Sequence, residues 1–119
     1  MTARSHHDLL AWQEAMSLAK AVYSLTSTFP REENSGLTGQ MRRAAVSVPS
    51  NIAEGAARAT RKEFLHFLSI ARGSLSELDT QLILARDLGY PGDFNATSNQ
   101  TATVFKLLGG LINSLGKQA

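Results

Sequence analysis

Hydrophobic and polar positions divide the chain into four periodic stretches, and few breakers separate them. Phe29-Pro30 closes the first stretch, Glu54-Gly55 the second, and Gly89-Tyr90-Pro91-Gly92 the third. In the first, Leu9, Trp12, Met16, Ala19 and Tyr23 recur at steps of three and four. A second stripe, Ala15, Leu18, Val22, Leu25 and Phe29, runs beside it. Two adjoining stripes make a broad apolar face, which predicts a helix over about residues 7–29 packed on more than one neighbour.

The second stretch carries Leu37, Met41, Ala45, Val48 and Ile52 on one face and predicts a helix over about 34–56. Pro49 lies inside it, where its ring removes one amide and crowds the carbonyl of Ala45. The apolar spacing keeps phase across the proline, so a continuous but bent helix is expected, with Gly55 free to supply a left-handed residue near its end. In the third stretch Phe64, Leu68, Ala71, Leu75, Leu78, Leu82, Ala85 and Gly89 alternate four and three without a miss. Thr60 and Glu63 form a T-x-x-E capping box before it, so a helix over about 61–89 is predicted. Val104, Leu108, Leu111 and Leu115, with Phe105 and Ile112 beside them, mark a fourth helix over about 95–115. Its first turns are rich in Thr and Asn, and Gly109-Gly110 weakens its centre by about 1 kcal/mol per glycine if helical. Four helices with short connections favour antiparallel neighbours, hence an all-α, up-down-up-down antiparallel four-helix bundle spanning one domain, 1–119.

Composition supports this reading and narrows the chemistry. Sixteen Ala and sixteen Leu against four Val and four Ile disfavour a β fold. The absence of cysteine excludes disulfide scaffolds, zinc–thiolate sites and thiol catalysis. No apolar run is long enough to cross a membrane and the start has no signal-peptide core, so a cytoplasmic protein without a membrane partner is expected. A bundle raises the di-iron question, but that site needs two Glu-x-x-His motifs, and Glu63-Phe-Leu-His66 is a single match. His6, His7 and Asp8 are an isolated terminal group. With no phosphate loop and no serine spaced from a base, the expectation is a protein that is not an enzyme and uses neither metal nor cofactor.

Charge is unevenly placed. Between Arg42 and Arg72 the local net is +4, although the whole chain carries only +2. Arg58, Arg61 and Lys62 cluster at the tip of the hairpin made by the second and third helices. They are the first candidates for contact with nucleic acid, followed by Arg42, Arg43 and Arg72. Polar residues also break the apolar pattern. Arg43, Ser47, Asn51 and Glu54 form one row on the second helix, and Ser74, Glu77 and Gln81 interrupt a second stripe of Phe67, Ile70, Leu84 and Leu88 on the third. Either both rows face solvent, or they form a hydrogen-bonded seam inside the protein or between subunits. The remaining row of the second helix, Val46, Pro49 and Ala53, cannot be covered by one small core and is a candidate contact between copies.

The run Gln40-Met-Arg42-Arg43-Ala-Ala-Val-Ser47-Val-Pro49-Ser50-Asn51-Ile52-Ala53-Glu54-Gly55 resembles the signature of the 23S rRNA intervening-sequence protein family. Asp8-Leu-Leu-Ala-Trp12-Gln13, Phe29-Pro30 with Glu33, and Gly73-Ser74-Leu-Ser-Glu77-Leu78 are similar to its other motifs, so the likeness covers about residues 8 to 90. It implies a four-helix bundle that forms a homo-oligomer, typically a pentameric ring. It also implies kinship with the accessory variability proteins of diversity-generating retroelements, basic pentamers that work with a reverse transcriptase and nucleic acid. The expected function is therefore a non-enzymatic oligomer that binds RNA or DNA through pooled basic residues. The alternative is a protein-binding scaffold or accessory subunit, for example of a polymerase, without nucleic-acid contact.

Overall fold

The computed structural model describes residues 5–117; the expected domain's first four and last two residues lie outside this range. Four helices, α1 (Leu10–Thr26), α2 (Leu37–Ala56), α3 (Arg61–Asp87) and α4 (Phe94–Gly116), form an up-down-up-down antiparallel bundle of 48 × 23 × 19 Å. Short 3-10 turns, His6–Asp8 and Arg31–Glu33, precede α1 and α2. Each helix packs on its two neighbours around a square, α2 on α3 most extensively, and the diagonal pairs α1–α3 and α2–α4 stay apart.

The core draws one stripe from each helix. Leu18 and Val22 of α1, Met41, Val48 and Ile52 of α2, Leu68, Leu75, Leu78 and Leu82 of α3, and Val104 and Leu108 of α4 are all but inaccessible to water. The start of α4 looks too polar for this role, yet Thr97 and Thr101 are buried. Their hydroxyls donate to the carbonyls of Asp93 and Thr97, one turn back, so each threonine presents its methyl group to the core with no unsatisfied polar group. Asp93 caps this helix by accepting from the amide of Ala96 at 3.0 Å, which sets its start at Phe94.

Helix ends account for the other departures from the periodic pattern. α1 stops at Thr26, three residues early, because the hydroxyls of Thr26, Ser27 and Thr28 turn back onto carbonyls of their own last turn. Phe29 then leaves the helix and packs beside Tyr90 and Phe94, at ring separations of 5.0 and 6.2 Å. α1 also starts three residues late, after the turn at His6–Asp8, and α2 begins at Leu37. Thr60 caps α3 through the amide of Glu63, whose carboxylate accepts from the threonine hydroxyl. At the other end of α3, Tyr90 donates its amide to Ala85 and Gly89 donates to Arg86, a Schellman closure in which Gly89 takes φ +82°. α2 runs unbroken through Pro49.

Gly55 does not supply a left-handed residue; it is helical and buried. Its lack of a side chain serves close approach instead. A Cβ there would stand 2.8 Å from Phe67 Cβ and 2.9 Å from Phe64 Cδ1.

The loops are tied by one polar contact. Tyr90 donates its phenol to Glu33, and the other oxygen of Glu33 accepts the amide of Leu37 at the start of α2. The phenol bond, then the amide bond, hold the Glu33 carboxyl below its ordinary range. The same bond, followed by burial and the charges of Glu33 and Glu32, pushes the Tyr90 phenol up.

Gly55→Ala should destabilise the protein by about 1–3 kcal/mol despite alanine's better propensity, because the added carbon would stand under 3 Å from both Phe64 and Phe67 of α3. Gly73→Ala has nothing within 4 Å of the added carbon and should stabilise by about 0.5–1 kcal/mol. Urea titration of both variants distinguishes packing from propensity. For the Glu33–Tyr90 contact the lowered carboxyl gives stability that is present above its unfolded value near 4.5 and lost as pH falls through the lowered folded value. The raised phenol gives stability that is present below 10.0 and lost as pH rises through its folded value. Tyr90→Phe should therefore lower the urea midpoint at neutral pH and flatten its decline at both extremes; an unchanged pH profile would show the contact to be idle.

Candidate functional site

Helix α2 separates two lateral grooves of unlike chemistry. On one side, the first stripe of α1 runs along the edge of the core; Trp12, Met16, Ala19 and Tyr23 form one wall of an open groove. Val46, Pro49 and Ala53 of α2 form the other, with Lys20 and Ser50 at the edges, around about 490 Å³. Val46 is 42% exposed and Tyr23 46%. The double stripe of α1 thus splits: Ala15, Leu18, Val22 and Leu25 face the core, and the other stripe borders the groove. Periodicity singles out the α2 row as a contact; the α1 stripe is the signal for its companion wall.

On the other side, α2 and α3 bring the interrupted rows together. Ser47 Oγ lies 2.9 Å from Ser74 Oγ, and the Asn51 amide donates to both the carbonyl and the hydroxyl of Ser47. This is a seam inside the chain, open along its outer edge to a polar groove of about 360 Å³ that Gln40, Arg43, Glu77 and Gln81 also line. Gln81 Oε1 is buried there with no hydrogen-bond partner. Glu54, expected in the same row, turns instead to Arg58.

The six basic candidates are not brought to one place. Arg58 is 2.8 Å from Glu54 and 3.8 Å from Glu63, and its guanidinium lies 4.7 Å over the Phe67 ring. Arg42 sits at the opposite end of the bundle. It donates to the buried hydroxyl of Thr26 at 2.9 Å and to the carbonyl of Tyr23, and stacks 4.5 Å over the Tyr23 ring. It thereby closes the last turn of α1, where the carbonyl ends of the helix favour a cation. Arg61 and Lys62, in the first turn of α3, and Arg43 and Arg72 are exposed and make no ion pair among the described residues. Arg72 follows Arg61 by eleven residues, about 16 Å along the helix. Arg43 lines the polar groove instead.

His6 and His7 pack their rings 5.0 Å from Trp12, beside the apolar groove. Among the described residues no three acidic or histidine side chains converge as a metal site would require, and no helix is long and apolar enough to cross a membrane.

Taken together, these features define an all-α bundle protein whose unassigned surfaces are an apolar groove, a polar groove and one end with unpaired cations. The chain belongs to the 23S rRNA-intervening sequence protein family, which it matches over residues 7–110. Among solved structures, the fold is similar to that of a protein of unknown function from the S23 ribosomal protein family of Bacteroides thetaiotaomicron. The two superpose with a TM-score of 0.77 at 20% identity, over 87% of this chain and 98% of the other. No curated protein matches the sequence.

Arg42→Ala should cost about 1–2 kcal/mol in urea titration, since it removes the donor to a buried hydroxyl and to the end of α1. The same variant should leave any affinity for nucleic acid within about twofold, because its guanidinium is already engaged. A larger drop in affinity with unchanged stability would give Arg42 a binding role.

Proposed function

We propose that this protein is a non-catalytic, self-assembling bundle that binds RNA or DNA through cations pooled from several subunits. The observation that carries the reading is the separation of two surfaces: an uncovered apolar groove along the side, and unpaired Arg61 and Lys62 at one end. Large concave apolar surfaces on small domains mark contacts, which supports Val46, Pro49 and Ala53 as part of a contact between copies. Homo-oligomers most often close by symmetry, and the pentamer implied by the family likeness agrees with that.

The phosphate-binding role falls first on Arg61 and Lys62, with Arg72 on the same helix. Arginine's planar fork suits phosphate oxygens, and lysine supplies a point charge. Arg58 ranks lower than the tip position alone would place it, since Glu54 and Glu63 already offset its charge. Counting those acids, the α2–α3 end carries only one net positive charge per chain, so a useful field needs several copies side by side. A second reading, a scaffold that binds protein alone, is favoured by the apolar lining of the groove.

Mobility-shift titrations with structured RNA and duplex DNA at two salt concentrations separate the readings. The double variant Arg61→Ala, Lys62→Ala should remain folded and flatten the log–log salt dependence by about 0.7–0.9 for each phosphate it no longer neutralises. Arg58→Ala should have a smaller effect. Binding that is unchanged in the double variant moves the site elsewhere, and no binding by the unaltered protein near ~50 mM salt favours the scaffold.

A further inference from the structure

We infer that the polar groove between α2 and α3 is a binding site for a small zwitterion, a free α-amino acid. Its carboxylate meets Arg43, and its ammonium group meets Glu77 and Gln81. This site goes beyond the self-assembly and nucleic-acid readings, and it uses neither the apolar groove nor Arg61 and Lys62.

Three polar groups that line this groove are left without partners by the chain itself. The Arg43 guanidinium makes no hydrogen bond or ion pair among the described residues, and neither does the Glu77 carboxylate. A cation and an anion thus border one groove of about 360 Å³ yet stand beyond ion-pair distance of each other. Gln81 Oε1 is shut off from water and accepts from no donor. A buried acceptor without a partner is costly, so a ligand that brings a donor to Gln81 relieves a penalty the folded chain carries. The serine pair, by contrast, is already satisfied by its own contacts and by Asn51.

Register places these groups so that one small molecule can meet them all. Ser47 opposite Ser74 aligns the antiparallel helices, which brings Gln40 level with Gln81 and Ala44 level with Glu77. Arg43 folds back along α2 over Gly39, where a Cβ would stand 3.2 Å from Nη1, so its guanidinium reaches towards the level of Gln81. Glu77 and Gln81 are four residues apart on one face of α3, about 5–6 Å, and an ammonium group with three donors can bridge them. The carboxylate of the same molecule then turns across the groove to the fork of Arg43. A simple anion would satisfy Arg43 and be repelled by Glu77, and a simple cation would do the reverse. A molecule with both charges on one carbon satisfies all three groups. No aromatic ring lines the groove and Ala44 is the one apolar residue in its lining, so a nucleobase finds no stacking surface there and a lipid tail no apolar wall. Gln40 and the serine pair leave room beside the site for a polar side chain.

Saturation-transfer NMR on the whole protein with the twenty free amino acids should pick out one or a few with polar side chains. Calorimetric titration of those should then saturate at one ligand per chain. Arg43→Gln and Glu77→Gln lose no partner within the chain, so each should keep its far-UV circular dichroism spectrum and weaken binding about tenfold or more. Masking one charge of the ligand, as the N-acetyl derivative or the carboxamide, should weaken it similarly. Gln81→Met should raise the melting temperature of the free protein, by removing the orphan acceptor, and weaken the amino acid at the same time. Glu77→Gln should retain whatever affinity for nucleic acid the unaltered protein has, which keeps the two activities distinguishable. No saturable signal from any amino acid at about 10 mM would overturn the site. Equal binding of the masked derivatives, or binding of guanosine monophosphate in place of every amino acid, would overturn the zwitterion assignment.

Discussion

Helix α2 can lie close against α3 because residues that meet between them are small: Ala44, Ser47 and Gly55 on one side and Ser74 on the other. The approach is tightest at Gly55, where even a methyl group would stand within 3 Å of two phenylalanines. Much of the rest depends on this contact. It buries one side of Phe64 and Phe67 and sets the reach over which Arg58 can meet Glu63. It also brings two serine hydroxyls to 2.9 Å in mid-helix, where larger side chains would have held the backbones apart.

That polar seam has a physical role beyond its small energy. Leucine stripes alone tolerate sliding by a turn, since one leucine packs much like another. Ser47, Ser74 and Asn51 satisfy each other in one register only, so slippage would leave buried hydroxyls without partners. The same helix shows α1 an apolar row containing Pro49. A proline is well tolerated in such a wall, since its apolar ring faces the groove side without a donor that needs an acceptor. The two sides of α2 thus present opposite chemistry, and this gives the molecule its unlike lateral surfaces.

The distribution of charge shows why formal counts mislead in a helical bundle. Six cations between Arg42 and Arg72 read as one basic region, yet they lie at both ends and along the sides of a molecule 48 Å long. Arg42 is part of the structural closure of α1, and Arg58 is shared between two carboxylates and an aromatic face. Neither acts as a free charge. Among those that do, Arg61 and Lys62 stand in the first turn of α3, where the helix dipole does not favour cations and phosphate would relieve the mismatch.

Helix number, the core stripes of α2 and α3 and the Thr60 cap were legible in the sequence, because 3.6-residue periodicity and capping chemistry are local properties. The rows that make up the two grooves were also visible as anomalies, apolar positions beyond what one core needs and polar ones within a stripe. What periodicity cannot carry is the identity of the neighbour. It did not say which stripe of α1 would face the core, that Thr97 and Thr101 would be buried once their hydroxyls turned onto their own helix, or that Gly55 was needed for proximity rather than for φ. Nor did it separate Arg58 from Arg61: Glu54 meets Arg58 as a local pair four residues back, but Glu63 reaches it only across the α2–α3 turn. Local sequence determines which faces a helix has; only the packing of four helices together decides which face is core, which is groove, and which charge remains free.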